Sequence, residues 1–402
     1  MHLERPSDDE RRRAEAPRDR QRATEAEQKA MKTKEGRKKL GARRPEKNVT
    51  AELCSVLKEK KLEPNANDLL GRLSQILLQV AVKVSAKKGL LGDLNSLAVS
   101  GDGTALLTGA SRHGRRVCNC PKHKRCHCPQ RYTDPDANIG WDSHRERFFF
   151  GHHLYEIVAC PKKHDLPLAL RLDPGSTSDF VAVLKTVEHL RKSLAESRLA
   201  KLSSVMLDAG HDGEEIYRFL IDHDMVPLIP LKQPAPAFHP RRKDLALSRR
   251  GVPQCQAGAE MVAWAQRGKE GLVYVCPVKA GKLELCPHAP PDNPSYRCRP
   301  LGKLAPTVTI QLKDNPRLCP PLPRNHWRFR KLMKLRSGSE RSFSQKKQRF
   351  LLEQAGHRRR SFWLIRVHMM AVLQHGLAWV AKDNALLLVR QLLGSQPEQL
   401  AA

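Results

Sequence analysis

The chain has no long uncharged apolar run, no apolar segment near its N-terminus and few acidic residues for its size. Its most apolar long stretch, residues 362–381, is interrupted by one arginine and two histidines, whereas a membrane-spanning helix needs about 20 mostly apolar residues. The first residues, MHLERPSDDERRR, lack the apolar region of a secretory signal. We therefore expect neither a membrane partner nor secretion.

Basic residues outnumber acidic ones: 72 Lys and Arg stand against 42 Asp and Glu, which gives a net charge of +30 and a pI near 10. Such a chain predicts a polyanionic partner, most commonly nucleic acid. Eleven cysteines, an odd number in 402 residues, do not suit a secreted disulfide framework. Reduced thiols in a cytosol fit better, and we expect a cytoplasmic protein.

Composition separates two segments at the start of the chain. Residues 1–50 hold 16 Lys and Arg, 10 Asp and Glu and hardly any large apolar side chains, so we expect a mobile basic arm. In residues 51–95, apolar side chains recur from Leu69 to Val80 at spacings of four, three and four. This spacing predicts a short helical N-terminal segment with these side chains on its buried face.

Residues 96–231 carry the most regular pattern, in the order β-β-β-α-β-α-β. The predicted elements are Ser96–Leu107, Arg147–Ala159, Leu166–Leu172, Asp179–Leu194, Ser203–Asp208, Glu214–His223 and Met225–Leu231. Hairpin-linked strands followed by helical crossovers imply a mixed sheet flanked by helices, in the α/β class.

A different composition marks an insertion in this core. Residues 232–323 hold 15 of the 28 prolines and five cysteines, which predicts a mostly β or irregular subdomain. Residues 324–395 return to a helical pattern and would complete the core. Within residues 321–360, 13 Lys and Arg stand against two acids.

Two aspartates occupy strand positions where a carboxylate is unusual. Asp102 lies in an apolar strand between Gly101 and Gly103, and burying a carboxylate there is costly unless a positive group meets it. The glycines would let another backbone or a ligand come close. Asp208 ends the apolar strand VMLD, at the edge where open α/β sheets bind ligands. Each alone could be a turn or strand-end residue, but as a pair they would form a metal-binding notch.

A third carboxylate, Glu340, is the only acid in residues 325–352. Met333, Arg336 and Lys347 fall within about 60° of it on a helix. An Arg–Glu pair on a solvated helix is the simplest interpretation. Two divalent cations held by three carboxylates explain more, because such ions drive in-line displacement at phosphodiesters. Arg336 and Lys347 would then hold neighbouring phosphates.

These residues resemble the signature of the DDE transposases of bacterial insertion sequences, in the group marked by Tyr-(2)-Arg-(3)-Glu-(6)-Lys. Here the signature reads Met333-(2)-Arg336-(3)-Glu340-(6)-Lys347, and SGDGT at 100–104, GWDSH at 140–144 and LDAGHD at 207–212 are similar to segments around the first and second Asp of that group. The resemblance covers residues 67–381.

The resemblance implies a ribonuclease-H-like core in which Asp102, Asp208 and Glu340 bind two Mg²⁺ or Mn²⁺ ions. It implies DNA cleavage followed by strand transfer, with double-stranded terminal inverted repeats and target DNA as partners. It also implies a homodimer on paired DNA ends, associated with the nucleoid in a bacterial cytoplasm. Met333 departs from the group's Tyr, and we expect a changed DNA contact there.

Two other functions stay open at this point. A related nuclease of the same fold would share the triad and cut without joining. A truncated or inactive copy would act only as a DNA-binding protein. The second alternative rests on the short stretch, about 100 residues, that precedes Asp102.

The basic stretch around the third carboxylate is the expected DNA track. Trp327 lies among cations in the mixture typical of base stacking beside phosphates, although with Phe329 it could instead anchor the helix on the core. The expected DNA-binding residues are Trp327, Arg328, Arg330, Lys331, Lys334, Arg336, Arg341, Lys346 and Lys347.

A cysteine cluster in CNCPKHKRCHC gives a second chemical pattern. Its members are Cys118, Cys120, Cys126 and Cys128. Four thiolates within eleven residues could hold one structural Zn²⁺, but structural zinc usually uses C-x₂₋₄-C spacing. A thiol-rich hairpin without metal is the alternative.

Two further aspartates are weaker candidates for the site. Asp212 falls beyond the turn after Asp208, and we expect it to face solvent. Asp142 lies between two strands and could be a supporting group. His152 and His153 fall in a strand pattern, where we expect a satisfied or solvent-facing pair.

Overall fold

The computed structural model describes residues 68–118 and 130–394, with gaps at 162, 256, 268–270, 285, 287–291, 293–306 and 313. The predicted basic arm of residues 1–50 lies outside the described residues, as does most of the first half of the predicted N-terminal segment.

The described chain begins with a helix that changes its winding. Helix α1 (Leu69–Ile76) starts at Asp68, whose side chain accepts the backbone N–H of Gly71 at 2.6 Å. It continues into a π-helical stretch (Leu77–Val82) and ends as α2 (Lys83–Lys87).

The buried face of this helix is not the one predicted. Ile76 and Val80 are about half exposed, at 52% and 51%, whereas Leu77, Ala81 and Val82 are buried. Apolar side chains lie on several faces of this helix. The helical spacing from Leu69 to Val80 therefore could not show which of these faces packs on the core. The π-helical winding changes the facing further, because it does not follow the 3.6-residue period.

Two helical spans, Leu69–Lys87 and Arg360–Ala385, are long and apolar enough to cross a membrane by length and composition alone. Both also place side chains in the main hydrophobic core, among them Leu77 and Trp363. Core helices of soluble proteins meet the same criterion, so the two spans are weak evidence for a membrane partner.

A mixed sheet forms the centre of the molecule. Its strands are β1 (Leu97–Leu107), β4 (Asn138–Asp142), β5 (Arg147–Ala159), β6 (Leu166–Pro174), β7 (Leu202–Met206) and β8 (Val226–Leu228), while β2 (Arg115–Arg116) and β3 (Gln130–Arg131) form a separate ribbon. Strands β1, β5 and β6 are antiparallel neighbours, and β7 and β8 run parallel to β1. Strand β4 pairs with the first part of β5, on the edge that β6 uses further along.

Helices flank this sheet. The crossover helices are α3 (Asp179–Glu196) and α4 (Glu214–Asp222), and α5 (Trp327–Met333), α6 (Ser337–Gln348) and α7 (Arg360–Gly394) follow later in the chain. One cluster of buried side chains joins the sheet to α3, α4, α6 and α7. The elements predicted from residue patterns are present within a few residues, with β2, β3 and β4 added. This α/β arrangement is consistent with the ribonuclease-H-like fold.

The described part of residues 238–311 holds five further strands around a hydrophobic cluster of its own. The strands are β9 (Phe238–His239), β10 (Arg242–Ala246), β11 (Val262–Arg267), β12 (Gly271–Val275) and β13 (Thr307–Gln311). Arg324 connects this part to the sheet, because its buried guanidinium donates to the carbonyls of Ile229 and Leu318 and to the hydroxyl of Tyr217.

The predicted basic helix is two helices. Helix α5 ends at Met333 and α6 begins at Ser337, so Met333 and Glu340 do not share a helix face as predicted. Leu332, Met333 and Leu335 all pack on the apolar cluster that contains Phe329. Residues 332, 333 and 335 would point in different directions on one continuous helix, so the break after Met333 allows all three to reach this cluster.

A buried ion pair fixes α6 on the sheet. Lys346 Nζ lies 2.6 Å from Glu156 Oε2, and neither side chain has exposed surface. The hydroxyl of Ser342 donates to Glu156, and Lys346 donates to the side-chain oxygen of Gln374 on α7. Burial lowers the pKa of Lys346, an effect that Glu156 opposes. The prediction that Lys346 binds DNA is wrong, because its ammonium is buried and already paired.

We expect Lys346→Met to destabilise the protein by about 3–5 kcal/mol, because it leaves the Glu156 carboxylate buried without its partner. Combining it with Glu156→Leu should recover most of this loss, since both charges are then replaced by apolar groups. Urea unfolding followed by circular dichroism measures the change.

Arg341→Met is the matched control on the same helix, because Arg341 is largely exposed where it pairs with Asp165 at 2.7 Å. Its loss should cost less than about 1 kcal/mol. Equal destabilisation by Lys346→Met and Arg341→Met would contradict the assigned role of the buried pair.

Candidate active site

Three distant segments line one cleft of about 1130 Å³. Asp102 comes from β1, Asp208 follows β7, and Glu340 comes from α6. Lys347 lines the same cleft. The residues described as a candidate triad in the sequence therefore face one space, together with one of the two cations expected to accompany them.

Asp102 is placed by the middle of β1, opposite Glu156 of β5. Its carboxylate accepts the backbone N–H of Gly103 at 2.8 Å. Burial, and to a lesser extent the negative charge of Asp208, raise the pKa of Asp102 to about 6. Negative charge at this position therefore lacks a full counter-charge within the described part of the protein.

The glycines beside Asp102 make room for side chains from β5 and α3. A Cβ at Gly101 would lie 2.7 Å from the hydroxyl of Tyr155, and one at Gly103 would collide with His153 and Asp179. The close approach expected at these glycines is thus made by the protein's own side chains.

Asp208 is oriented by a chain of two further groups. His211 Nδ1 lies 2.5 Å from Asp208 Oδ1, and the Tyr155 hydroxyl lies 3.0 Å from His211 Nε2. The hydrogen bond from His211 holds the pKa of Asp208 below its usual value. Because His211 and Tyr155 are both buried, they hold the carboxylate from behind while Asp208 itself stays about half exposed.

Glu340 is paired with a cation of its own helix. Arg336 Nη2 lies 2.7 Å from Glu340 Oε1, and the Glu340 side chain is about half exposed. Lys347 Nζ lies 3.0 Å from Glu353 Oε1, and Arg145 Nη2 lies 2.6 Å from Glu353 Oε2. Both cations that were expected to hold phosphates are therefore in ion pairs with carboxylates.

A fourth acid in the cleft, Asp179, was not predicted as a site residue. It is the first residue of α3, and its Oδ1 lies 2.9 Å from His153 Nε2. Burial acts to raise the pKa of Asp179, but the contact with His153 outweighs it and the pKa is lowered. Its position after Ser178 indicated only a helix start, and nothing local linked it to His153.

His152 and His153 have different surroundings. His152 is buried, and its Nε2 lies 2.9 Å from the buried Asp134, whereas its Nδ1 is buried without a hydrogen-bond partner among the described residues, so the expected satisfaction holds for one ring nitrogen. His153 instead reaches the cleft. Neighbouring strand residues face opposite sides of a sheet, but the sequence pattern did not indicate which of the two histidines faces the cleft.

The two weaker aspartate candidates also differ from expectation. Asp212 does not face solvent: its side chain is fully buried, and Arg317 donates to both of its oxygens at 3.0 and 2.7 Å. Asp142 lines the cleft, accepts the backbone N–H groups of His144 and Arg145, and pairs with the Arg145 side chain. It supports the turn between β4 and β5.

Aromatic side chains form part of the cleft wall. Trp141 and Phe148 face each other across the β4–β5 hairpin with ring centroids 4.9 Å apart, and both are more than half exposed. Trp141 stands between Gly140 and Asp142, and Phe148 is the first of three consecutive phenylalanines, so only the strand pairing reveals that Trp141 and Phe148 act as one surface.

The remaining predicted DNA contacts lie on α5 and α6. Arg328, Arg330, Lys331, Lys334 and Trp327 are exposed, while Phe329 is buried and anchors α5. Phe329 therefore takes the anchoring role, and base stacking by Trp327 stays a prediction. Arg341 is exposed and paired with Asp165.

The predicted zinc cluster is described only at Cys118, because Cys120, Cys126 and Cys128 lie outside the described residues. Within the part of the chain that the structure describes, no group of three or more His, Cys, Asp or Glu side chains is assembled closely enough to hold a metal ion. The carboxylates of the cleft line a common space without forming a closed metal cage.

Comparison with known proteins gives one finding. A family model described as the transposase DDE domain matches residues 122–373, a span that contains Asp208 and Glu340 and begins after Asp102. Neither the curated proteins nor the solved structures gave a match. Transposases with this domain act on DNA and generally use divalent metals such as Mg²⁺. Because the match covers more than half of this 402-residue chain, the chain belongs to the transposase DDE domain family.

Proposed function

We propose that this protein is a DNA transposase that cleaves the ends of an insertion sequence and joins them to target DNA. The observation that carries the proposal is the convergence of Asp102, Asp208 and Glu340 on one cleft in a chain of this family. The sheet places the two aspartates, and α6 supplies the glutamate.

The donor set of the cleft fits divalent cations. Carboxylate oxygens are the ligands that Mg²⁺ and Mn²⁺ prefer, and a cation beside Asp102 would offset the burial that raises the pKa of this carboxyl to about 6. Asp102, Asp208 and Glu340 would hold two such ions. When bound, the ions would stabilise the attacking and leaving oxygens of an in-line displacement at phosphorus.

The chain's own side chains would prepare this site. His211 and Tyr155 hold Asp208 in one orientation, so the carboxylate does not have to be ordered when a ligand arrives. Arg336 neutralises Glu340 in the free protein. If a metal ion took over the charge of Glu340, Arg336 would be available to a neighbouring phosphate.

Charge along α5 and α6 supports double-stranded DNA as the partner. Exposed Arg328, Arg330 and Lys331 lie on α5, and exposed Lys334 directly follows it. Cations placed along a helix attract the phosphate backbone without reading sequence. We extend the proposal to terminal inverted repeats and target DNA, a homodimer on paired ends, and a nucleoid-associated place in a bacterial cytoplasm.

A second candidate function is DNA binding without catalysis. The pairing of Glu340 with Arg336 favours it, because a carboxylate already neutralised by its own helix can be a structural residue. A nuclease that cuts without joining would share the triad with a transposase. Product analysis separates these three functions.

We expect Glu340→Gln to reduce cleavage about 100-fold or more, the loss typical when one group that stabilises transition-state charge is removed. The substrate is a supercoiled plasmid that carries the element's flanking repeats, incubated with Mg²⁺ or EDTA. Gel analysis would follow nicks, double-strand breaks and strand-transfer products, and DNA affinity should be retained.

Glu214→Gln is the matched control, because Glu214 forms the same kind of i,i+4 pair with Arg218 on α4, outside the cleft. It should cleave like the wild type. Undiminished cleavage by Glu340→Gln would refute the triad. Absence of cleavage by a folded, DNA-binding wild type would favour the non-catalytic function, and cleavage without joining would favour the nuclease.

We expect His211→Phe to slow cleavage about 10- to 100-fold at limiting Mg²⁺, because it keeps an aromatic ring and removes the nitrogen that orients Asp208. Higher Mg²⁺ should restore part of the rate, and DNA affinity should not change. Cleavage rates across a Mg²⁺ titration provide the measurement.

His223→Phe, on the far end of α4, is the control for loss of a histidine that bonds locally to a carbonyl. A His211→Phe protein with the wild-type Mg²⁺ dependence would show that the contact with Asp208 does not prepare the site.

A further inference from the structure

A bridged pair of cations lies on the wall of the cleft. Arg145, in the turn between β4 and β5, and Lys347, on α6, each contact a different oxygen of Glu353, at 2.6 and 3.0 Å. All three residues line the cleft that Asp102, Asp208 and Glu340 line. One carboxylate therefore joins two cations from separate elements.

The three side chains are accessible to a ligand. Their exposed fractions are 34% for Arg145, 36% for Lys347 and 31% for Glu353. At this exposure an ion pair is screened by water and can exchange its partner, unlike the fully buried pair beneath α6. A polyanion that enters the cleft can thus compete with Glu353 for the same two cations.

Asp142 also holds Arg145, and Lys347 is carried by α6, which the buried pair of Glu156 and Lys346 fixes on the sheet. Asp142 accepts the backbone N–H of Arg145 at 3.1 Å and lies 3.3 Å from its guanidinium. Lys347 lies seven residues after Glu340 on α6, which is about 10 Å along the helix axis. The cations would therefore stay in the cleft if the carboxylate moved away.

The segment that carries Glu353 is also fixed. It is a short 3₁₀ turn, Leu352–Gln354, that follows Leu351 in the left-handed region at φ 53°. Leu352 is fully buried, and Arg366 donates to the carbonyl of Leu351 at 3.1 Å. A backbone conformation that non-glycine residues rarely adopt is thus maintained, and it presents Glu353 to the two cations.

The geometry of the bridge matches what a phosphate would accept. A carboxylate and a phosphate both offer oxygens to a guanidinium and an ammonium, and DNA supplies phosphates in a series along each strand. We propose that Arg145 and Lys347 form a binding site for one DNA backbone phosphate, and that Glu353 occupies this site in the free protein and is displaced by DNA.

This inference rests on the proposed function for its ligand, and it adds a residue that opposes DNA binding. Lys347 belongs to the signature motif, whereas Arg145 and Glu353 do not. Glu353 would weaken loose binding to any polyanion, because each encounter must replace two ion pairs. DNA positioned along the cleft would replace them with contacts of the same kind.

The test measures the affinity of the full-length protein for labelled duplex DNA, with Ca²⁺ in place of Mg²⁺ and over a series of salt concentrations. One duplex carries the element's end and a second has an unrelated sequence. We expect Glu353→Gln to bind both duplexes about three- to tenfold more tightly, because two partly exposed ion pairs no longer compete with DNA for the cations.

Glu214→Gln is the matched control, since removing any acid from a chain with net charge +30 strengthens attraction to DNA. This substitution removes an ion pair with Arg218 outside the cleft, so its effect on DNA affinity measures the general contribution of losing one negative charge. The gain from Glu353→Gln should clearly exceed it.

A double-mutant cycle identifies the partners of Glu353. Arg145→Gln combined with Lys347→Gln should weaken DNA binding and reduce the salt dependence of log K by about one, as expected for one lost phosphate contact. In that background Glu353→Gln should give no more gain than Glu214→Gln, because the site it occupies no longer exists.

Three results would overturn the inference. These are a gain from Glu353→Gln no larger than from Glu214→Gln, a gain that persists without Arg145 and Lys347, and weaker binding by Glu353→Gln, which would make Glu353 a support for DNA contacts. None of them depends on cleavage. A protein that binds as expected but cuts no DNA would refute the proposed function and leave the phosphate site standing.

Discussion

Repulsion between carboxylates in one cleft is the constraint on which the rest of the site depends. Six acids among the described residues line this space, and like charges at short range in a partly buried site destabilise one another. The protein opposes this by giving most of them a separate positive or donating partner. The pairs are Glu340 with Arg336, Asp208 with His211, Asp179 with His153 and Glu353 with Lys347 and Arg145. Burial raises the pKa of Asp102 to about 6, so a cation beside this carboxylate would stabilise its charged form at the centre of the sheet.

The helix that presents Glu340 needs an anchor, because its exposed face is strongly basic and gains little from apolar burial. Glu156 and Lys346 provide it within the core, and the hydroxyls of Ser339 and Ser100 meet at 2.9 Å about two turns earlier. A buried pair demands close geometry, since either charge alone would be costly. The pair therefore fixes the rotation of α6 about its axis. That rotation decides which side chains of the helix reach the cleft.

Local patterns were enough to predict the described strands of the central sheet other than β4, and the positions of its two aspartates. Alternating or continuous apolar residues located β1 and β7, and the carboxylates followed from their places within and after those strands. Helical spacing also placed Lys347 on the side of Glu340, because seven residues return to nearly the same face. Its neighbour Lys346 is about 100° away and points into the core. Charge composition alone assigned both lysines to DNA, and only the packing of α6 separates them.

What the sequence could not predict depends on contacts between distant segments. Asp179 meets His153 across 26 residues, and Asp212 is covered by Arg317 from 105 residues away. A carboxylate in a turn is normally solvated, so its burial can be inferred only when the covering cation is known. The same reasoning applies to the insertion. Buried Arg324 satisfies backbone carbonyls on both sides of the junction, and α5 begins three residues later. The position of α5 relative to the cleft therefore depends on the buried Arg324. In the sequence, this arginine could not be distinguished from the exposed arginines that follow it.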